Sequence, residues 1–288
     1  MFKLIDNTMI VPNLHQITVE APDVAAAVEA GQFVIIRPVE DGERIPLTVS
    51  DWDRENGTIT IVFMNVGKTT DTLSSLTKGS SLSTVVGPLG KTMDIDHYGT
   101  VLCIGGCYGI ASIYPIARAL KQNGNSVITM VEARSGYLLY WLDKLRNVSD
   151  RMVIFTRDGS KGSKGHINRL PEVLSAIKTP INRVIVNGCN YLMMRGSQET
   201  RPYQIPTIVS LNTLMIDGTG MCGVCRVTVD SKTKFACVDG PHFDGHTVDW
   251  EELAQRRKAY LKEEVLPVMS SRPYHTQLGN RPPIISQT

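Results

Sequence analysis

The stretch between Asp217 and Cys237 carries the densest chemistry in the chain. It reads Asp217-Gly-Thr-Gly-Met-Cys222-Gly-Val-Cys225, then eleven residues, then Cys237, and it holds three of the six cysteines. The spacing Cys-x4-Cys-x2-Cys…Cys is that of plant-type [2Fe–2S] sites. Here Asp217 stands in the first position, and a carboxylate oxygen can ligate iron. Gly218, Gly220 and Gly223 let a tight loop wrap a cluster and aim backbone N–H groups at its sulfides. The same cysteines also suit a zinc site completed by His242 or His246. A disulfide would leave one cysteine odd and suits a secreted chain better. A purely structural loop has no need of three cysteines this close together.

Three further stretches can hold phosphate. Arg44-Ile-Pro46-Leu47-Thr48 sets a permanent fork of donors beside a hydroxyl on a strand. A surface arginine before an edge strand is the plainer reading of that segment alone. Val66-Gly67-Lys68-Thr69-Thr70 reads as a strand end, a glycine turn and a helix N-terminus with free N–H groups. It lacks the first glycine of a P-loop. Gly105-Gly106-Cys107-Tyr108-Gly109 lies between a strand and a helix, where a dinucleotide would sit, although tight strand–helix packing explains the same glycines. Asp158–Gly165 is expected as a flexible basic loop, either a cofactor lid or simply solvated. Cys103 and Cys107 have no histidine nearby in a nucleophile arrangement, and Cys103 is expected in the core.

The elements that position these residues change character along the chain. Residues 1–97 are β-rich, with apolar runs at Leu14–Val19, Phe33–Pro38, Leu47–Ser50, Thr58–Met64 and Leu82–Val86. Turns such as Asp41-Gly42 and Glu55-Asn56-Gly57 separate them, the texture of a small antiparallel barrel closed by Gly87-Pro-Leu-Gly90. Residues 98–200 alternate strands (Thr100–Gly105, Val127–Glu132, Met152–Thr156, Arg183–Asn187) with helices (Ile110–Gln122, Tyr137–Leu145, Pro171–Ile177). That alternation predicts a doubly wound parallel sheet. Residues 201–250 hold the cysteine loop, entered by a strand at Thr207–Leu211 and followed by hairpin strands at Cys225–Val229 and Lys234–Cys237. In residues 251–288, an amphipathic helix over 249–265 precedes a proline-bearing arm from Leu266, expected to order only against a partner. The fold class is thus α/β plus all-β.

The 288 residues can bury two or three cores, and 42% hydrophobic with 20% charged residues is ordinary for a globular protein. A net charge of +2 gives no nucleic-acid footprint. No apolar run reaches membrane-span length, and the N-terminus lacks the features of a signal peptide. Few, clustered cysteines fit a reducing cytoplasm.

The assembled order of motifs resembles the ferredoxin-reductase-like flavoproteins with an appended cluster. This group includes the small subunits of NADH-dependent reduced ferredoxin:NADP⁺ oxidoreductases and, more distantly, the electron-transfer subunit of dihydroorotate dehydrogenase. The resemblance spans about residues 1–265. It rests on Glu43-Arg-Ile-Pro-Leu-Thr48, Arg201-Pro-Tyr203, Ile208-Val-Ser-Leu-Asn212, Asp217–Arg226, Phe235–Pro241 and Phe243-Asp-Gly-His246. It implies a [2Fe–2S] cluster on Asp217, Cys222, Cys225 and Cys237, and FAD on the barrel. Arg44 would hold the pyrophosphate, Pro46, Leu47 and Thr48 would line the isoalloxazine, and Gly67, Lys68, Thr69 and Thr70 would complete the phosphate site. It also implies a larger glutamate-synthase-like flavin/iron–sulfur partner, with ferredoxin and NADP(H) as further redox substrates.

Two departures from the family pattern fall where NAD(H) should dock. The turn usually written Gly-Gly-Gly-x-Gly-x-Ala-Pro here has Cys107 for the third Gly and Ser112 for Pro. The later Gly-Pro-x-x-Met-Met turn has Cys189 and Asn190. Tyr108 is also placed to fill the nicotinamide space. Two functions are therefore expected: an FAD and [2Fe–2S] subunit passing electrons between NAD(H) and a larger subunit, or a relay that has lost its own nucleotide site. A zinc-stabilised nucleotide-binding module is the third.

Overall fold

A computed structural model describes residues 1–259. The helix is described only as α7 (Trp250–Arg257). The remainder of its expected extent and the proline-bearing arm lie outside the described residues.

The N-terminal sheet has seven strands: β1 (Phe2–Val11), β2 (Leu14–Glu20), β3 (Phe33–Arg37), β4 (Ile45–Asp53), β5 (Thr58–Met64), β6 (Ser81–Leu82) and β7 (Thr84–Leu89). Their order is β6-β1-β2-β5-β4-β3-β7, all antiparallel, as the alternating runs imply. Ile17, Val19, Val34, Ile36, Ile59, Ile61 and Phe63 fill its interior with Leu4 and Leu73. Two short helices, α1 (Pro22–Ala27) and α2 (Lys68–Ser75), complete this part. The sequence pattern does not announce β1, because Asp6, Asn7 and Thr8 interrupt it and its register shifts between Leu4 and Asp6.

The second sheet contains β8 (Thr100–Gly106), β9 (Ser126–Ala133), β10 (Arg151–Thr156), β11 (Ser163–Lys164), β12 (Arg183–Asn187), β13 (Thr207–Ser210) and β16 (His242–Asp244), in the order β11-β10-β9-β8-β12-β13-β16. All pairings are parallel except β13 with β16. Residues alternate across it. Val101, Cys103, Val127 and Val131 pack beneath α3 (Gly109–Gln122) and α4 (Leu142–Asn147). Leu102, Ile104, Ile128 and Met130 face α5 (Leu170–Ala176), α6 (Asn190–Thr200) and the cysteine segment. Cys103 is fully buried, the core position expected of it.

Two local expectations are corrected and a third is narrowed. The helix over Tyr137–Leu145 is broken into a single turn at Gly136–Leu138 and α4, because Trp141 takes φ +52 and Tyr140 is buried. Helix α6 is unforeseen. Its buried face includes Gly196, Ser197 and Thr200, and the two hydroxyls bond back to Met193 O and Gly196 O. Of the two readings of the basic loop Asp158–Gly165, the structure favours the solvated one. Thr156 Oγ1 donates to Lys161 O and accepts from Lys161 N, Ser163–Lys164 pairs with β10, and no residue of the loop lines the cavity described below.

Barrel and parallel sheet are clamped together. Arg118 and Lys144 donate to the two oxygens of Asp51 at 2.7 and 2.8 Å, and Arg118 lies over Trp52, 4.6 Å from the ring centroid. Trp141 Nε1 also donates to Gln16 Oε1. The cysteine segment leaves the sheet after β13 and returns at β16. Leu211 N donates to Pro241 O at 2.9 Å, closing the excursion at its base. Within it β14 (Arg226–Val229) and β15 (Lys232–Phe235) form the expected hairpin. A division at residue 200 therefore marks a change of chemistry and not a break in the sheet.

Candidate functional site

Strand β4 runs from Ile45 to Asp53, so Arg44 stands at its mouth, with Pro46, Leu47 and Thr48 on its first turn of pleat. Strand β5 carries the chain to Gly67, where α2 begins. The Thr70 hydroxyl accepts from the N–H of Val66 and Gly67 and holds this turn, and the Thr69 hydroxyl donates to Glu43. All eight residues assigned to flavin binding, Arg44, Pro46, Leu47, Thr48, Gly67, Lys68, Thr69 and Thr70, line one cavity of about 880 Å³. Among the described residues neither Arg44 nor Lys68 enters a salt bridge. Two uncommitted cations and a helix N-terminus at a roomy, partly apolar cavity are the donor set a dinucleotide with a flat ring system requires. FAD fits these residues.

The far wall of the cavity comes from the parallel sheet and from the segment leading to the cysteines: Tyr108, Ser112, Asn187, Ser210 and the run Leu211–Ile216. A buried polar chain crosses this wall. Asn187 Nδ2 donates to Ser112 Oγ at 3.2 Å, Ser210 Oγ donates to Asn187 Oδ1 at 2.8 Å, and His242 Nδ1 lies 2.9 Å from Ser210 Oγ. Sequence reading missed Asn187 and Ser210. Their only signal is a polar residue at the carboxyl end of a strand.

The residue after Ile216 is Asp217. Its carboxylate accepts from Thr219 N at 2.9 Å and from Cys222 N at 3.0 Å, so the loop folds around it. Gly218, Gly220 and Gly223 all take positive φ, as a wrapped loop demands. Cys225 and Cys237 are buried with their sulfurs 3.1 Å apart, while Cys222 is exposed. Two of the expected ligand atoms, the Cys225 and Cys237 sulfurs, are thus side by side, and Asp217 is tied to the third cysteine through the Cys222 backbone N–H. Burial and the neighbouring Cys225 push the Cys237 thiol up to about 12, and the Gly220 N–H opposes this. Metal binding there releases protons. All six cysteines are free.

The zinc alternative is not supported. His242 is turned to Ser210, and His246 Nε2 lies 3.0 Å from Thr200 Oγ1. Among the described residues no three His, Cys, Asp or Glu side chains gather about one point, as a single-ion site needs.

In the turn Gly105–Gly109 the packing explanation of the glycines has direct support. A Cβ on Gly105 would come within 2.9 Å of Gly109 O. One on Gly106 would strike Leu192, and one on Gly109 would lie 2.0 Å from Asn187 O. Gly105 and Gly109 are required by close backbone packing, whereas at Gly106 the clash is with a movable side chain.

Comparison with known proteins accords with this geometry. Residues 212–249 match the family described as the iron–sulfur cluster binding domain of dihydroorotate dehydrogenase B. The chain is 42% identical over 263 residues to a Thermotoga maritima dihydroorotate dehydrogenase B (NAD(+)) electron transfer subunit homolog, covering 91% of this chain and 92% of that one. It is 26% identical to the electron transfer subunit of Clostridium perfringens dihydroorotate dehydrogenase B, over 86% of this chain and 97% of that one. A chain in the structure of the NADH-dependent reduced ferredoxin–NADP oxidoreductase, solved for insight into flavin-based electron bifurcation, superposes with a TM-score of 0.87. It has 41% identity and covers 91% of this chain and 95% of that one. The fold is that of ferredoxin-reductase-like flavoproteins with an iron–sulfur domain, and among the described residues no helix is long and apolar enough to cross a membrane. The chain belongs to the family of dihydroorotate dehydrogenase B electron transfer subunits and their homologues, oxidoreductase subunits that work within larger electron-transfer complexes.

Proposed function

We propose that this chain is the FAD- and [2Fe–2S]-carrying small subunit of an electron-bifurcating NAD(P)H/ferredoxin oxidoreductase. It would exchange electrons with a larger glutamate-synthase-like flavin/iron–sulfur subunit. One observation carries the reading: Ile216 lines the flavin cavity and the next residue is Asp217, the first expected cluster ligand, which would set the two redox sites on a shared wall. When bound, FAD accepts two electrons together and the cluster carries them one at a time. Arg44 and Lys68 neutralise the pyrophosphate, and the N-terminus of α2 orients it. Pro46, Leu47 and Thr48 would line the ring system, and Ser112, Asn187 and Ser210 lie on the other wall of the same cavity. Asp217 would give one iron a hard oxygen ligand, which would alter the cluster's potential. Ile216, Met221 and Val238 are exposed hydrophobic residues on the cluster segment, suited to a protein partner.

A second reading is favoured by Tyr108, which lines the cavity with its hydroxyl bonded to Gly188 O and Asn212 Nδ2: the chain passes electrons between flavin and cluster but no longer receives them from NAD(H) itself. Anaerobic spectra of the holoprotein separate the two. Flavin and cluster bands that bleach with NADH establish direct oxidation. Bands that bleach with dithionite alone, or with NADH only when the larger subunit is present, establish the relay. A colourless protein refutes both.

A further inference from the structure

The parallel sheet reverses its winding between β8 and β12. At such a switch point the turns leaving the two strands normally diverge and open a crevice that receives a nucleotide. Here they converge. Gly109 lies so close to the second turn that a Cβ on it would sit 2.6 Å from Gly188 Cα. Tyr108 spans what remains. Its hydroxyl donates to Gly188 O at 3.2 Å and accepts from Asn212 Nδ2 at 3.0 Å, and Asn212 Nδ2 also donates to Gly188 O at 2.6 Å. Three loops, after β8, β12 and β13, are thereby tied together on the cavity wall.

The turn is built to hold this tyrosine in place. Cys107, just before it, takes φ +55, a left-handed conformation unfavourable for a side chain with a Cβ. Tyr140 fixes that conformation from behind: its hydroxyl donates to Cys107 O at 2.9 Å and accepts from Ala111 N at 3.2 Å. Strain held by a dedicated buried hydrogen-bonding partner points to a function for the residue it orients.

We propose that Tyr108, latched to Gly188 and Asn212, is a built-in occupant of the nicotinamide crevice and the residue that excludes a reduced nicotinamide from the flavin cavity. This rests on the relay reading. The latch works by occupancy and by tethering. The ring fills the space, and the hydroxyl makes its withdrawal cost two hydrogen bonds.

The test uses the flavin-loaded full-length chain and its Tyr108→Ala and Tyr108→Phe variants, with NADH as probe. NADH dissociation constants are read from its fluorescence under anaerobic conditions, with flavin content and thermal midpoint measured alongside. Tyr108→Phe keeps the ring and removes the tether, and NADH should bind a few-fold more tightly. Tyr108→Ala removes both and should tighten binding at least tenfold. If the alanine variant loses its flavin, the phenylalanine variant decides. Wild type and variants that all fail to bind NADH would overturn the latch and leave the relay reading intact. Wild type and variants that bind equally tightly, with the wild-type flavin bleached, would overturn both.

Discussion

Acid should weaken this protein through His242. The ring is buried where β16 meets the barrel. Its Nδ1 faces Ser210 Oγ, and among the described residues Nε2 has no hydrogen-bond partner. Burial lowers the imidazole to about 4, partly offset by the backbone of Gly31. In the unfolded chain it titrates near the ordinary ~6.5. The folded state therefore prefers the neutral ring, and as pH falls the unfolded chain takes up the proton first. The stability at stake is fully present above about pH 6.5 and is lost as pH falls through the window down to about 4. Linkage puts the loss at roughly 2 kcal/mol by pH 5 and about 3 kcal/mol at the limit. For a chain of this size 2 kcal/mol is on the order of 4 °C in thermal midpoint. The assay compares wild type with His242→Gln across pH 8 to 5, in matched buffers and with matched flavin content. The glutamine amide can still reach a hydroxyl but does not titrate, and ionisations common to both proteins cancel in the difference. The variant should be the less stable at pH 8 because it loses ring packing. The gap should then shrink by about 2 kcal/mol at pH 5. Parallel curves across the whole range would show that His242 is not held neutral in the fold.

Two further outcomes are expected at the redox sites. Replacing Arg44 by alanine removes a charge-assisted contact worth about 1.5–3 kcal/mol, so FAD should rebind the stripped chain roughly 10- to 100-fold more weakly in a fluorescence titration; an affinity within twofold of wild type would remove Arg44 from the phosphate site. Asp217→Ala should strip iron and acid-labile sulfide from the protein while leaving FAD bound, and Asp217→Cys should restore both. Full iron content in the alanine variant would mean that the carboxylate only shapes the loop through Thr219 N and Cys222 N.

Much of this could be read in the sequence, and the limits have physical causes. The iron–sulfur segment was legible because loop chemistry is local: four candidate donors and three glycines lie within 21 residues. The barrel strands and the βαβ alternation were legible because burial imposes a period on each. Arg44–Thr48 and Gly67–Thr70 were each ambiguous alone; only the fold of β4 beside β5 brings them to one cavity. Asn187, Ser210 and Asn212 carry little local signal, since their partners lie on other elements 23 to 104 residues away. His242 was visible only as a candidate ligand of the alternative zinc site. Its proximity to the cysteines in sequence suggested a metal ligand, whereas β16 turns it toward the flavin wall.

The excursion that carries the cluster begins and ends one hydrogen bond apart, at Leu211 N and Pro241 O, between two strands that are neighbours in the sheet. A segment anchored in this way can be gained, lost or exchanged during evolution without redrawing the topology of its host, because the strands on either side keep their pairing whatever lies between them. A one-electron centre can thus be added to a two-electron flavoprotein as an insertion rather than as a new domain at either terminus. What limits its transfer to another reductase is the hairpin beneath it. Val227, Val229 and Ala236 share the core of the parallel sheet, so a recipient must offer an apolar surface at the same edge.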